Sequence, residues 1–313
     1  MKEDPYDNDT LAYKFSLGIF LSAVPGLALN LMILFLSRKK HKIEGDFKIF
    51  VVNSALIDSI NATVSLCHVV MLLNRYYDGV FCTVLALCSA NTFLSIHTSL
   101  LPFSVTRFLS LCLEKECASE KTVLSYCICF DLLPLTVLFT TWSLGLIRFG
   151  KNWQGQIWCE GRLGLSPHSE TAFLVVLGCL LLIFTLVVFL NAKIHRHIHN
   201  HLAVVNILND KENLKITQRL AITTLVQALL PVIFQLPVLV AEILRYTINW
   251  YPRRIDFVVT LLWHACPAVN GIASLLLIKP YRELVLLNIR KFRSAKVSPT
   301  EKNEKRNSVV KKL

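Results

Sequence analysis

Residues 171–202 read TAFLVVLGCLLLIFTLVVFLNAKIHRHIHNHL. The first 22 of these residues carry no charge. As a helix rising 1.5 Å per residue, such a run is about 33 Å long, enough to cross a hydrocarbon core about 30 Å thick. The ten that follow hold Lys193, Arg196 and four histidines, so the apolar run ends abruptly in polar surroundings. The strands of a membrane barrel would alternate apolar and polar residues. This run does not, so it reads as a transmembrane helix.

Six further runs have the same character. The seven cover about Tyr13 to Leu36, Ile49 to Leu73, Phe81 to Leu113, Val123 to Leu146, Thr171 to Ala192, Leu220 to Leu244 and Ile255 to Ile278. The chain is 54% hydrophobic and only 17% charged, against about 25% charge in an ordinary soluble domain. The expected fold is therefore all-α, a bundle of seven transmembrane helices. Residues 1–12 form the head, 13–279 the bundle, and 294–313 a basic, disordered cytoplasmic tail. The head, MKEDPYDNDT, lacks the basic start and apolar core of a cleavable signal, so the first span is expected to direct insertion.

Lysine and arginine set the orientation. The side with the first, third and fifth loops and the tail holds 24 of them, and the other side 9, out of 33. The richer side is read as cytoplasmic, which leaves the head outside. Asn8-Asp9-Thr10 is a glycosylation sequon in that outer head. Asn61-Ala62-Thr63 is another, but it lies mid-membrane, out of reach. The net charge of +12 is then a topology and anionic-lipid signal. No stretch interleaves aromatics with bases as a nucleic-acid module does.

His195, His197, His199 and His201 stand at every second position. On a helix, His195 and His199 share one face, and His197 and His201 another. Four ligands at that spacing do not converge on one ion, and no further ligand is suitably placed. No metal site is assigned. The tract reads as a polar collar where the fifth helix leaves the bilayer.

Polar groups inside the spans are costly and need a partner or a role. Asn30, Asp58 and Asn270 fall at similar depth on the first, second and seventh spans. They are expected to form a hydrogen-bonded cluster, either as a stabilising contact alone or with water or a cation. Of ten cysteines, only Cys82 and Cys159 fall at the outer face, where the surroundings are oxidising, so they are the expected disulfide. Arg107 lies 25 residues beyond Cys82, about 37 Å along a helix, at the inner mouth of the bundle. There it can serve as a positive-inside anchor. Asp131 stands alone in the fourth span. No paired carboxylates, nucleophile elbow or metal motif suggests an enzyme.

Together these residues resemble the rhodopsin-like G-protein-coupled receptors. The likeness rests on Asn30, on "NSALID" ending at Asp58, on Cys82, Cys159 and Arg107, on "FQLP" with Pro237 as the kink residue, and on Asn270. There are departures. The third helix ends Thr106-Arg107-Phe108, without the acidic residue usual before the arginine. The seventh reads Asn270-Gly271-Ile272-Ala273-Ser274, without the usual proline and tyrosine. "TLVQALLPVIFQLP" and "CPAVNGIASLLLIKPYREL" look most like nematode serpentine chemoreceptors, through Gln227, Pro231, Tyr281 and Arg282. After Pro280, residues 280–293 fit a short amphipathic membrane-surface helix with Tyr281, Val285 and Phe292 on one face.

The resemblance implies a plasma-membrane chemoreceptor, for example in olfaction and sensory cilia, that binds an external small molecule and activates a heterotrimeric G protein. It implies that Arg107, Thr106, Asn270, Asp58, Asn30 and Pro237 take part in activation, and that the histidine collar faces the G protein. By matching to the family's pocket, Ser89, Phe93, Gln235, Glu242, Thr260 and His264 are candidate ligand contacts, or simply interhelical packing. The outer third helix has no Asp, which disfavours an amine ligand. The seventh span has no Lys, which excludes a retinal Schiff base, and no cofactor is implied. The rival readings are a seven-span ligand-gated channel of inverted topology, opposed by the charge count, and a small transporter, for which internal repeats are the usual sign and none is seen.

Overall fold

The computed structural model describes residues 5–38, 46–74, 79–113, 119–151, 159–163, 168–205, 222, 225–226, 229–241, 243–244 and 253–290. In chain order the elements are α1 (Pro5–Ser37), α2 (Asp46–Asn74), α3 (Gly79–Cys112), α4 (Glu120–Ser143), β1 (Ile147–Lys151), β2 (Cys159–Leu163), α5 (Ser169–Val205), α6 (Leu229–Ala241), α7 (Arg253–Leu277) and α8 (279–290). Six of them are long and apolar enough to cross a membrane, and α6 is a shorter apolar helix over its described length. The protein is a multi-pass membrane protein. Each expected span falls on one of α1 to α7. α1 begins at Pro5, inside the segment read as head.

The helix ends follow local chemistry. Ser119 caps α4, its hydroxyl accepting from the Thr122 N–H at 3.4 Å. The other end of α4 stops three residues short of the expected Leu146. Gly145 adopts φ +69°, a conformation that favours glycine. The N–H groups of Gly145 and Leu146 turn back to the carbonyls of Trp142 and Thr141, both at 2.9 Å. This is a Schellman closure. The chain then enters the antiparallel hairpin β1–β2, which pairs Ile147 with Leu163 and Lys151 with Cys159. The sequence reading placed only a long loop here.

α3 is the central helix, in contact with α2, α4, α5 and both strands of the hairpin. The outer surface of the bundle is apolar, and part of its interior is polar. Leu182, Phe189 and Phe35 point outward, while Asn30, Asp58, Asn61, His97 and Gln235 are each 2% exposed or less. A lipid surround demands this, because polar groups in the membrane must face the bundle interior. α1 and α7 approach very closely. A Cβ built on Gly26 would stand 3.1 Å from the Ala268 nitrogen, and one on Gly271 would stand 2.8 Å from the Leu29 Cβ. Small residues at such crossings let the two backbones meet.

α8 docks beneath α1, α2 and α7. Tyr281 and Leu284 are buried in a cluster with Ile33, Leu36, Val51 and Leu275, and Val285 packs against it. The Tyr281 hydroxyl also shares a 2.7 Å hydrogen bond with Ser37 Oγ. The docked face is thus Tyr281, Leu284 and Val285; Phe292 lies outside the described residues. Leu286, Leu287 and Ile289 remain exposed on a helix that also carries Arg282 and Arg290.

Candidate functional site

A polar seam runs along the inward faces of α2 and α7. Asn270 Nδ2 donates to Asp58 Oδ2 at 3.2 Å and to Cys266 Sγ at 3.6 Å. Asn30 Nδ2 donates to the carbonyls of Gly26 at 2.8 Å and Pro267 at 2.9 Å. The close approach at Gly26 is what brings Asn30 within reach of α7. Asn30, Asp58 and Asn270 all line one cavity, together with Asn53, Ser99 of α3 and Pro231 of α6. Its water-accessible volume is about 40 Å³, room for roughly two or three ordered waters. Asp58 Oδ1 has no protein partner. The expected three-helix cluster therefore exists as two linked parts, with Asn30 engaging the α7 backbone rather than the carboxylate.

A second polar and aromatic layer lies nearer the end of the bundle that holds the hairpin and the disulfide, the end read from the sequence as outer. Ser65 Oγ meets His264 Nδ1 at 2.7 Å, and the Thr92 hydroxyl lies 2.9 Å from the Ser89 carbonyl and 3.4 Å from Asn61 Oδ1, two acceptors that share its one proton. The Phe93 ring packs on His97 at 4.7 Å and, edge-on, on Trp263 at 5.9 Å. His97 in turn meets Phe184 of α5 at 4.5 Å. Gln235 Nε2 reaches Cys266 Sγ at 3.9 Å. Above this layer, Cys82 and Cys159 form a disulfide that ties β2 to the outer end of α3.

At the inner end, Arg107 is half-buried and its guanidinium lies 5.6 Å from the Phe103 ring centroid, a cation–π contact. Thr106 beside it is half-buried. Ile194 and Ile198, inside the histidine tract, pack against Phe108, Leu111 and Cys112 of α3. His195 and His199 are exposed and His197 is half-buried, while the His201 side chain lies outside the described residues. Among the described residues, no three His, Cys, Asp or Glu side chains are arranged to hold a metal ion.

Residues 164–287 match the family model of the serpentine type 7TM GPCR chemoreceptor Srd. The matched region runs from the loop before α5 through most of α8. In fold, the chain superposes on the crystal structure of squid rhodopsin with a TM-score of 0.79, covering 93% of this chain and 88% of that one. The family likeness covers less than half of the chain, while the shared helix arrangement covers nearly all of it. Identity to squid rhodopsin is 14%, so that comparison speaks for the helix arrangement alone. No curated protein matches the sequence.

The residues named from the pocket match are partly brought together. Phe93, Gln235 and His264 belong to the outer layer through the contacts above. Ser89 is buried on α3, one turn from Thr92. Thr260 is half-buried on α7 and Pro237 is half-buried on α6. The Glu242 side chain lies outside the described residues, as does that of Asn8. Ser65, His97, Trp263 and Asn191 were not singled out in the sequence, and Asn61 only as a sequon out of reach. Asn191 Nδ2 donates to Ser104 Oγ at 2.9 Å, joining α5 to α3. A signal for the α2 members was present. Ser54, Asp58, Asn61, Ser65 and His68 recur at spacings of four and three, one face of a helix.

Proposed function

We propose that the protein is a chemosensory receptor at the plasma membrane, N-terminus outside, which binds an external small molecule and activates a heterotrimeric G protein inside. The observation that carries the reading is a continuous chain of polar contacts. Gln235 of α6 reaches Cys266 of α7, Asn270 donates to the same sulfur, and Asn270 also holds Asp58 of α2. One end of this chain is a candidate ligand contact and the other borders the cavity above Arg107. A ligand shifts the balance of two states only by binding one of them better. A molecule that pulls on Gln235 changes the Cys266 and Asn270 contacts and so biases the packing of α6 against α7.

α6 is the element suited to move. Proline lacks the N–H that a helix interior needs, so Pro231 and Pro237 weaken the helix at two points, and Pro231 also borders the cavity. Movement of its inner end would open the space beside Arg107, Thr106 and the inner part of α5. Disulfide formation, glycosylation at Asn8 and residence in sensory cilia fit the same reading.

The test is nucleotide exchange. Membranes containing the receptor and a heterotrimeric G protein are screened with a library of external small molecules for accelerated GTP analogue uptake. Molecules that accelerate uptake on this receptor but not on its Asn270→Ala variant support the reading. A chain that correctly inserts and binds library members yet never accelerates uptake on any G-protein class contradicts it.

A further inference from the structure

We propose that the sulfur-rich cluster between α2 and α3 is a site for a soft monovalent metal ion of the Cu(I) class, held by the thiols of Cys67 and Cys88 with the Met71 thioether beside them. The cluster joins Val64, Met71, Cys82, Leu85, Ala86 and Cys159, with Cys67 and Cys88 packed against it. Five of these eight residues carry sulfur. Cys82 and Cys159 are taken up by the disulfide, whereas Cys67 and Cys88 are free thiols. Met71 Sδ lies 3.5 Å from Cys159 Sγ, which sets the thioether in the same place. This inference does not depend on the receptor reading.

Helix geometry brings the two thiols together. Cys67 and Met71 are one turn apart and share a face of α2. Cys88 follows Leu85 by one turn on α3. It is six positions inward from Cys82, about 9 Å along the helix. As consecutive spans, α2 and α3 run in opposite directions, and they meet through Val64, Met71, Leu85 and Ala86. That sets Cys67 and Cys88 at neighbouring levels. A charge on Cys67 is felt at Cys88. Both thiols are half-buried, so an ion reaches them from the surface of the bundle without a tunnel through the core.

The class of ion follows from the donors and from charge. Thiolate and thioether sulfurs are soft ligands that select Cu(I). Among the described residues, no three His, Cys, Asp or Glu side chains come together to hold a metal. His68, next to Cys67, and Asp58, nine positions before it, therefore do not complete a site with the two thiols. The four ligands that a structural zinc takes are missing. Residues 59–74 of α2 and 79–106 of α3 hold no Asp, Glu, Lys or Arg, so a complex with net charge would be costly there. A monovalent ion displaces one thiol proton, which leaves to water, and forms one metal–thiolate bond. The product is neutral, with the second thiol and Met71 as uncharged donors. Met71 can turn its sulfur toward the ion because its side chain is unbranched and flexible.

The experiment uses the purified full-length protein in lipid nanodiscs, loaded anaerobically with Cu(I) in ascorbate and, in parallel, with Zn(II). The samples are then challenged with a graded series of chelator. Retained metal is counted by elemental mass spectrometry, and the intact-protein mass checks that the Cys82–Cys159 bond is still closed. The parent is expected to retain a single Cu(I) ion, and Cys67→Ser and Cys88→Ser are each expected to lose it. Cys179→Ser removes an exposed thiol of α5 and is expected to leave the ion in place. Met71→Leu, a change that nearly conserves volume, is expected to release the ion at lower chelator concentration. It keeps both thiols and the disulfide, so it tests the site even where a serine variant folds poorly. Absence of retained Cu(I) in the parent would overturn the proposal. So would an ion that Cys67→Ser and Cys88→Ser both leave in place, or tighter retention of Zn(II) than of Cu(I). Unchanged retention by Met71→Leu would overturn the part given to the thioether.

Discussion

Gln235 and Cys266 meet at 3.9 Å between α6 and α7, although 31 residues separate them in the chain. The same sulfur accepts from Asn270, which holds Asp58. Cys266 thus joins the outer layer to the inner cavity. Replacing it with Ala removes both contacts while leaving Asn270 on Asp58. Cys266→Ala is expected to keep surface expression and to weaken ligand-driven exchange. Paired measurement of surface level and exchange checks this.

Asp58→Ala removes the oxygen acceptor for Asn270 and leaves its half-buried amide with only the Cys266 sulfur. The expected loss is about 1–3 kcal/mol, read as a lower unfolding temperature in detergent. Asp58→Asn keeps an oxygen of the same shape in place and is expected to cost less. Equal losses for the two would mean that the Asn270 contact contributes little to the fold.

Gly271 has no room for a side chain, since a Cβ there would stand 2.8 Å from the Leu29 Cβ. Gly271→Ala forces α1 and α7 apart and should cost about 1–3 kcal/mol. Gly178 on α5 is the control, with nothing within 4 Å of its built Cβ. Gly178→Ala should be neutral or stabilising by up to about 1 kcal/mol, because alanine is the better helix former. Thermal unfolding of the two variants side by side tests the contrast.

The seven helices were legible because each announces itself locally through length, lack of charge and basic flanks. The pairings were not. That Asn30 goes to the Pro267 carbonyl rather than to Asp58 depends on how closely Gly26 lets α1 approach α7, which no local pattern encodes. The hairpin was missed for a similar reason. IRFGK and CEGRL are only five residues each, and each carries a glycine, a residue depleted in strands, so their short alternation is a weak signal. They are held by their pairing and by the disulfide. The outer layer was half legible: Gln235 and His264 stood out by position, whereas Asn61 drew notice only as an unreachable sequon.

Tyr281 fixes α8 to α1 through Ser37 and is fully buried. Tyr281→Phe should cost about 1 kcal/mol, one hydrogen bond, and Tyr281→Ala about 3–5 kcal/mol through the cavity it leaves. Burial pushes the phenol's pKa above its ordinary value of 10.0, with the Ser37 bond opposing. The folded state therefore favours the neutral phenol. Its contribution is fully present below pH 10 and is lost as pH rises through the folded pKa. Unfolding temperatures across the alkaline range should fall less steeply in Tyr281→Phe than in the parent.

The Cys82–Cys159 bond closes a loop with a sequence separation of 77. In the chain-entropy picture such a crosslink contributes up to about 4.5 kcal/mol. Membrane insertion already restricts the unfolded chain, so the loss should be smaller. Cys82→Ser, Cys159→Ser and the double variant are expected to share one deficit, because each removes the same bond. Deficits that add would show that the two thiols act separately.

Orientation tests the central claim most directly, because a receptor for external molecules must keep its head outside and its α5 collar and tail inside. The chain is expressed with a different epitope at each end, and unpermeabilised cells are stained for both. The account predicts that only the N-terminal epitope is stained and that the C-terminal one appears after permeabilisation. Staining of the C-terminal epitope alone on intact cells would contradict the receptor account and favour a seven-span channel of inverted topology.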